Sequence, residues 1–567
     1  MEAAATHSLG GTHTGANRWL IPFLPSLTDF AFLWPVLLLF VLLPGSSVLL
    51  SDGDTGWHIR TGEWIWQHKA IPTTDLFSFT KPHDSWFAWE WGWDLLFAGI
   101  HHFGGLGGVA FASVIILCAI SALLFRLICR YSENDFLSLA FTAFAIFGSV
   151  IHWLARPHLI SWLFALIFAH LILSAEKGNT KALCWLPALM VLWVNLHGAF
   201  FVGIIMLLTS AVGEVLAALF RNEPFGTTAW AKAQPYGSCT LACSVVTFIN
   251  PYTWHLHWHI FHYVQDAKLL STNAEFQPIS FHHWASLPFE CMLLLGVGTI
   301  FWCARHCRFG PALLILLWAH WSLLSARNIP FFLLLSTPLI AQFTNTALKD
   351  LMKVQRLKGI ASSITSFGCE FRPFEQSPHV YLASLLGLTG VACCFALERP
   401  GFESQLNPRN FPVQALPFIK AAKFSRPFTT DQWGDYLIYH LYPAQRVYVD
   451  GRGDFFGADF LEKYTQIVNA RRDWETNLRA QSVDAVVLPP GAPVVSTLKE
   501  SKNWKLLFDN GSTVIFQAVS MAQAQQDGVI KPAQVSPVAC SGRKPLGSGV
   551  PSASLNSTTT FQERKGS

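Results

Sequence analysis

The sequence predicts an α-helical polytopic membrane protein with a small α/β domain after its last span, and two observations carry that prediction. Of 567 residues, 51% are hydrophobic and only 13% are charged, against roughly 25% charged in a soluble domain; the mean hydropathy is +0.35. Apolar runs also recur along the chain at lengths near the ~17–25 residues that cross a bilayer, and beyond about residue 400 they cease. The net charge of +4 is small and spread over short loops, which argues against a nucleic-acid partner.

Taken in order, residues 1–28 are polar and glycine-rich and are expected to form a loose cytoplasmic segment. About eleven spans follow over residues 29–399, near 30–50, 94–125, 136–155, 159–175, 183–196, 199–220, 237–254, 287–304, 310–325, 330–346 and 380–397. The two short runs flanking Asn195–Gly198 also suit a single kinked or re-entrant element. Orientation follows from lysine and arginine, which collect on the cytoplasmic side. With the N-terminus inside, the inner loops take most of them, including Arg126, Arg130, Lys177, Lys181, Arg305 and Lys349. The outer loops keep chiefly Arg60, Lys69, Lys81, Arg156, Lys268 and Arg327. The N-terminus is therefore expected in the cytoplasm and residues 400–567 outside, with no cleaved signal peptide. Most of the twelve cysteines fall in or beside apolar runs; they read as packing residues, with no disulfide framework and no zinc spacing.

From 400 to 517 charges are too frequent to span, and the chain is expected to form the outer α/β domain. Arg446–Asp450 and Asp484–Leu488 suit buried strands, Phe460–Arg479 an amphipathic helix, and Trp504–Gln517 a hairpin about Asp509-Asn510-Gly511. Residues 518–567 are rich in Ser, Gly, Gln and Thr and are expected to be disordered.

The chemistry concentrates in the first outer loop, residues 51–94. It holds Asp52-Gly53-Asp54, then His58, Arg60 and Glu63, with seven tryptophans from Trp57 to Trp93. Carboxylates beside a bilayer need water or partners, and tryptophan gathers at headgroup level. Asp52 and Asp54 are candidates for a general base or for a pair holding a divalent metal; Asp54 equally suits a cap on the helix starting near Trp57. Trp57, Thr61, Trp64, Ile65 and His68 share one helical face, as in an interfacial helix lying flat on the membrane. Arg60 is a candidate phosphate ligand or a headgroup contact. Arg156 and His158 flank Pro157 at a helix junction and suit a phosphate leaving group. Arg327, between apolar runs beside Asn328 and Pro330, suits the same role. His197 beside Asn195 reads first as a packing pair and second as a substrate contact. His255, His257, His259 and His262 lack a cysteine or nearby carboxylate and read as interfacial residues, not as a metal site.

An acidic motif in the first outer loop, interfacial helices and a many-helix body together resemble the GT-C superfamily of integral-membrane glycosyltransferases. Asp52–Glu63, Trp193–Gly198, Asn250-Pro251-Tyr252 and Asp450-Gly451-Arg452 are similar to bacterial multi-pass members of that type. The resemblance spans about 30–517. It implies transfer of a sugar from a polyprenyl-phosphate donor to a lipid, glycan or protein acceptor on the outer face of the cytoplasmic membrane, usually with inversion. The family's first-loop acid then maps to Asp52 or Asp54 as general base. The chain departs from the pattern in its Asp-Gly-Asp motif and its tryptophan-rich loop. A transporter is the competing class, but it should show internal repeats and midplane charges, and no clear repeat is present. A non-catalytic scaffold has no need of an acidic pair beside outer arginines.

Overall fold

The computed structural model describes residues 18–224, 228–356 and 358–519; residues 1–17 of the expected N-terminal segment and 520–567 of the expected tail lie outside these. Each expected apolar run coincides with a helix, and seven helices are long and apolar enough to cross a membrane. Three shorter apolar helices, Thr180–Leu196, Phe309–Leu324 and Leu382–Ala396, accompany them. The run expected at 237–254 is shifted: its helix is Trp230–Val246, and a new helix starts at Trp254. Thr253 lies between them with φ 52°, left-handed backbone that ends the regular structure.

The longest helix, Trp91–Ser132, has 42 residues, which is ~60 Å and twice the bilayer core. Gly105 breaks it at φ 58°, ψ −158°, so the stretch before the break continues the loop 51–94 and the stretch after it is by itself long enough to cross a bilayer. Around this helix pack Leu27–Leu37, Asp135–Ser149, His158–Glu176 and Ile329–Leu351.

Asp54–His68 is not a helix lying flat with one face to lipid. Trp57, His58, Ile59, Thr61 and Ile65 are all buried around its circumference. It is clamped between Trp91–Ser132 and a C-terminal-domain helix, Asp431–Leu441. Glycines allow the contact: a Cβ at Gly62 would stand 1.9 Å from Asp94 O, and one at Gly56 would stand 2.8 Å from Tyr439 Cβ.

The C-terminal domain is a four-stranded sheet of order β1-β2-β4-β3, from Pro427–Phe428, Ala485–Leu488, Val514–Ala518 and Trp504–Asp509 in that spatial order. β1 runs parallel to β2, and the other pairs are antiparallel. The hairpin turns at Gly511, φ +80°, as Asn-Gly predicts. Two expectations need correction. Arg446–Asp450 is not a sheet strand; Val447 instead bridges Ser78 of the loop 51–94. Phe460–Arg479 is two helices, Ala458–Val468 and Trp474–Ala480, because Ala470 (φ 49°) and Asp473 (φ 64°) turn the chain.

That bridge belongs to a larger joint. Val447 N–H donates to Phe77 O at 2.9 Å and Phe79 N–H to Val447 O at 3.0 Å. Arg452, fully buried, pairs with Asp75 of the loop at 2.7 Å and Asp450 at 2.6 Å, and its guanidinium lies 4.4 Å from the Trp86 ring centroid. Burying one cation with two anions is tolerable only while all remain together, and removing one partner of a buried pair typically costs about 3–5 kcal/mol. Arg452→Met should therefore lower the thermal midpoint of tryptophan fluorescence in detergent by several degrees. An unchanged midpoint would show that the joint does not depend on these charges.

Candidate active site

The breaks between helices at one end of the bundle bring their polar residues together. Ala155 N–H donates to Leu49 O at 2.9 Å, and Thr55 Oγ1 donates to Ala155 O at 3.1 Å. These bonds lay the Arg156 junction along the Asp52–Asp54 turn. Gly53 has ordinary backbone (φ −70°); it is glycine because a Cβ there would stand 2.6 Å from Gln432 O and 2.7 Å from Asp435 Cβ. Glu275 lies in a 3-10 turn tied to the next junction, where Ser325 Oγ donates to Glu275 O at 3.0 Å.

Arg156 is the centre. Its Nη1 lies 3.0 Å from Asp52 Oδ2 and 2.7 Å from Glu275 Oε1, and its Nη2 lies 2.8 Å from Asp54 Oδ2. Arg327 stands further out, 3.9 Å from Glu275 Oε2 and over the Phe276 ring. The two aspartates differ in role. Asp52 Oδ1 accepts the Asp54 N–H at 2.8 Å, so Asp52 is the residue that meets the helix start, while Asp54 Oδ1 is buried and makes no close hydrogen bond, the Trp57 indole N–H being the donor that faces the carboxyl.

Their environment separates the acids. Burial, helped by Asp52 and Glu275, outweighs Arg156 at Asp54 and lifts its pKa to about 7. Glu275 is buried too, but Arg156, with His152 and Arg327, overcomes that cost and holds it at about 2. Asp54 thus changes protonation near neutral pH.

A second chain of groups adjoins the first. Glu90 Oε1 lies 3.3 Å from His197 Nε2, and its Oε2 lies 3.7 Å from His58 Nε2. His58 Nδ1 meets Asp94 Oδ1 at 2.5 Å. Trp193 Nε1 donates to Ser161 Oγ at 2.7 Å. The Ser161 hydroxyl is therefore assigned as donor to His197 Nδ1, at 2.7 Å, which puts the His197 proton on Nε2, facing Glu90. Burial lifts Glu90 to about 8, and burial holds His58 and His197 well below the usual histidine range.

Of the residues expected from sequence, Asp52, Asp54, Arg156 and Arg327 meet, and His197 reaches the adjoining chain. His197 is not packed with Asn195, which instead accepts from Trp91 Nε1 at 3.0 Å. His158 sits behind the site, its Nε2 bonded to His152 O at 2.9 Å. Arg60 stands apart: its Nε donates to Tyr439 O at 2.8 Å and its Nη1 pairs with Glu63 at 2.5 Å. It braces the C-terminal domain. The histidines of Trp254–Gln265 diverge, His257 to Thr247 at 2.8 Å and His259 to Asp454 at 3.0 Å. Glu90 and Asp94 were missed; their only signal is two acids four apart in a tryptophan-rich stretch entering a helix.

A divalent metal, considered for the aspartates, does not fit this arrangement. Asp52, Asp54 and Glu275 turn their oxygens onto the Arg156 guanidinium, and no group of three or more His, Cys, Asp or Glu suited to a metal ion is found among the described residues.

No protein-family profile and no curated protein matches the chain. Solved structures do. The archaeal oligosaccharyltransferase AglB from Archaeoglobus fulgidus, in complex with an inhibitory peptide and a dolichol-phosphate, superposes with a TM-score of 0.51 at 12% identity, over 87% of this chain and 74% of that one. The Archaeoglobus fulgidus oligosaccharyltransferase tethered with an acceptor peptide containing the NVT sequon gives 0.50 at 11% identity, over 87% and 73%. This chain has the GT-C fold. At such identity the likeness is one of architecture: a multi-pass helical membrane domain followed by a small sheet-containing domain.

Removing the central cation exposes the repulsion it masks. In Arg156→Gln, three buried carboxylates face one another, and their folded-state pKa values rise above the unfolded ones. The penalty is absent at low pH, where they are protonated, and grows as pH rises. The variant's thermal midpoint should fall further below wild type at pH 8 than at pH 5. An equal deficit at both pH values would contradict the clamp.

Proposed function

We propose that this protein transfers a glycosyl group from a polyprenyl-phosphate donor to a hydroxyl acceptor, with Asp54 as general base. The observation that carries the reading is the Asp54 carboxyl itself: buried, poised at about 7, one oxygen on Arg156 and the other without a close hydrogen bond. A hydroxyl is a weak nucleophile, and a base whose pKa lies near the operating pH removes its proton most effectively as the new bond forms. As the acceptor oxygen attacks the anomeric carbon, the bond to the phosphate oxygen breaks and the lipid phosphate leaves with that electron pair. Attack from the face opposite the phosphate inverts the anomeric centre.

Arg327 is the residue assigned to that phosphate. Its ion pair to Glu275 is long, at 3.9 Å, so its planar fork retains donors for a phosphate. Arg156, saturated by three acids, acts on the reaction only by fixing them. His197 and Glu90, beside these groups, would meet the sugar. The GT-C architecture supports a lipid-linked donor, and the neighbours' own structures hold a dolichol-phosphate and an acceptor peptide. The basic-residue bias supports a site on the outer face of a bacterial cytoplasmic membrane, with the N-terminus inside.

The assay is sugar transfer from polyprenyl-phosphate-sugar by purified protein in nanodiscs. Asp54→Asn should lower kcat by about 100- to 10,000-fold with the thermal midpoint retained, and Asp52→Asn should lower it less. Arg327→Ala should chiefly raise the donor KM. Wild-type kcat/KM should fall as pH drops through about 7, where Asp54 takes up a proton. Near-normal turnover by Asp54→Asn sinks the mechanism. Sidedness is tested separately with reporter fusions: positions 270 and 480 should read as external and 365 as cytoplasmic, and a cytoplasmic signal at 480 would overturn the orientation.

A further inference from the structure

Asp435, on Asp431–Leu441, is fully buried and pairs with no cation among the described residues. Its oxygens accept one N–H, that of Gly451, at 2.9 and 3.2 Å. Nothing in the reading of the site so far uses it. Two glycines bring it against Asp54. A Cβ at Gly451 would stand 2.0 Å from Asp54 Oδ1 and 2.8 Å from Asp435 Oδ2, so both carboxyls crowd the same point. From the other side, a Cβ at Gly53 would stand 3.2 Å from that same Asp435 oxygen.

Each acid has a defect that the other repairs. Asp54 Oδ1 makes no close hydrogen bond, and the donor that faces the carboxyl, the Trp57 indole N–H, is itself left without a close partner; such atoms are costly to leave unbonded. Asp435 is a buried acid without a counter-charge, and burial of that kind favours the protonated form. One proton between them satisfies both.

We propose that Asp435 is a positioning residue for Asp54, its carboxylic acid proton donated in a hydrogen bond to Asp54 Oδ1. The inference rests on the reading of Asp54 as the base and makes the C-terminal domain part of the active site. Gly451 holds Asp435, Asp435 and Arg156 hold Asp54 from two sides, and the carboxylate is fixed before an acceptor arrives. Burial, reinforced by Asp54 and Asp450, pushes Asp435 well above the usual carboxylate range, whereas Asp54 titrates near 7. The other charged groups facing the pair are Asp52, Arg156 and Glu275 on the Asp54 side and Asp431 and Asp450 on the Asp435 side.

The test is the pH profile of kcat/KM for glycosyl transfer, measured on the full-length protein in nanodiscs. In Asp435→Ala the Asp54 anion loses a donor, its pKa rises, and the acid limb should move up by about one pH unit, a roughly tenfold loss below the limb. Asp435→Asn keeps the acceptor for Gly451 and offers an amide donor, so its limb should stay close to that of wild type. Infrared difference spectra give a readout free of turnover: wild type minus Asp435→Asn at neutral pH should show the loss of one buried protonated carboxyl band, over the bands that Glu90 and Asp94 leave in both proteins. An unmoved acid limb in Asp435→Ala, or a wild type minus Asp435→Asn spectrum with no carboxyl band lost, overturns the proposal. If Asp54→Asn is inactive while these results fail, only the role of Asp435 falls; if Asp54→Asn is active, the base assignment itself falls.

Discussion

Three acids on two separate segments meet in this protein because one guanidinium stands between them. Asp52, Asp54 and Glu275 would repel one another at these separations, and burial would sharpen that repulsion, since charges interact more strongly where water is scarce. Arg156 offers each a short contact, and only arginine has a planar fork with enough donors to serve three carboxylates at once. The clamp does not neutralise the cluster, and the remaining excess of negative charge falls on Asp54. A group that titrates near neutral pH is thus a consequence of an incomplete charge balance, not of burial alone.

The second requirement is closure by the C-terminal domain. The loop 51–94 carries its tryptophans in two groups, 57–66 and 86–93, about a polar middle, and by itself it could not keep Asp75 or Asp54 away from water. The domain supplies Arg452 for Asp75 and a helix whose residues pack on Gly53 and Gly56. The joint is made through backbone as much as side chains, with Val447 exchanging hydrogen bonds with Phe77 and Phe79. A stretch that looks like a strand of the domain is therefore spent on the interface.

The helical body does less chemistry and more placing. Its helices end at irregular points: extended backbone at His197 and Ser325, a 3-10 turn at Val150–His152, and the Gly105 break. At three of these points a polar side chain, His152, His197 or Ser325, meets a neighbour across the break.

The sequence alone determined the class of this protein. Hydropathy and length located the apolar helices of the body, with the run at 237–254 displaced and Lys358–Glu375 not foreseen, because an apolar segment long enough to span is specified locally by its own residues. The basic-residue bias put Asp52, Asp54, Arg156, His197, Glu275 and Arg327 on one side, and the structure has them clustered. What the sequence could not decide was pairing. Nothing in the spacing of Asp52, Arg156 and Glu275, more than 100 residues apart, says that one arginine takes three acids, or that Arg60 instead braces the Tyr439 carbonyl. The helical face of Asp54–His68 was legible, but its partner was not, since an apolar stripe suits lipid and protein equally. Gly53 is a gap filled by a helix of the C-terminal domain, which no local pattern announces. Asp435 carried no signal, because an acid in an amphipathic helix is ordinarily solvated. Local pattern sets the elements; which charges neutralise one another is a property of their packing, and only the folded chain settles it.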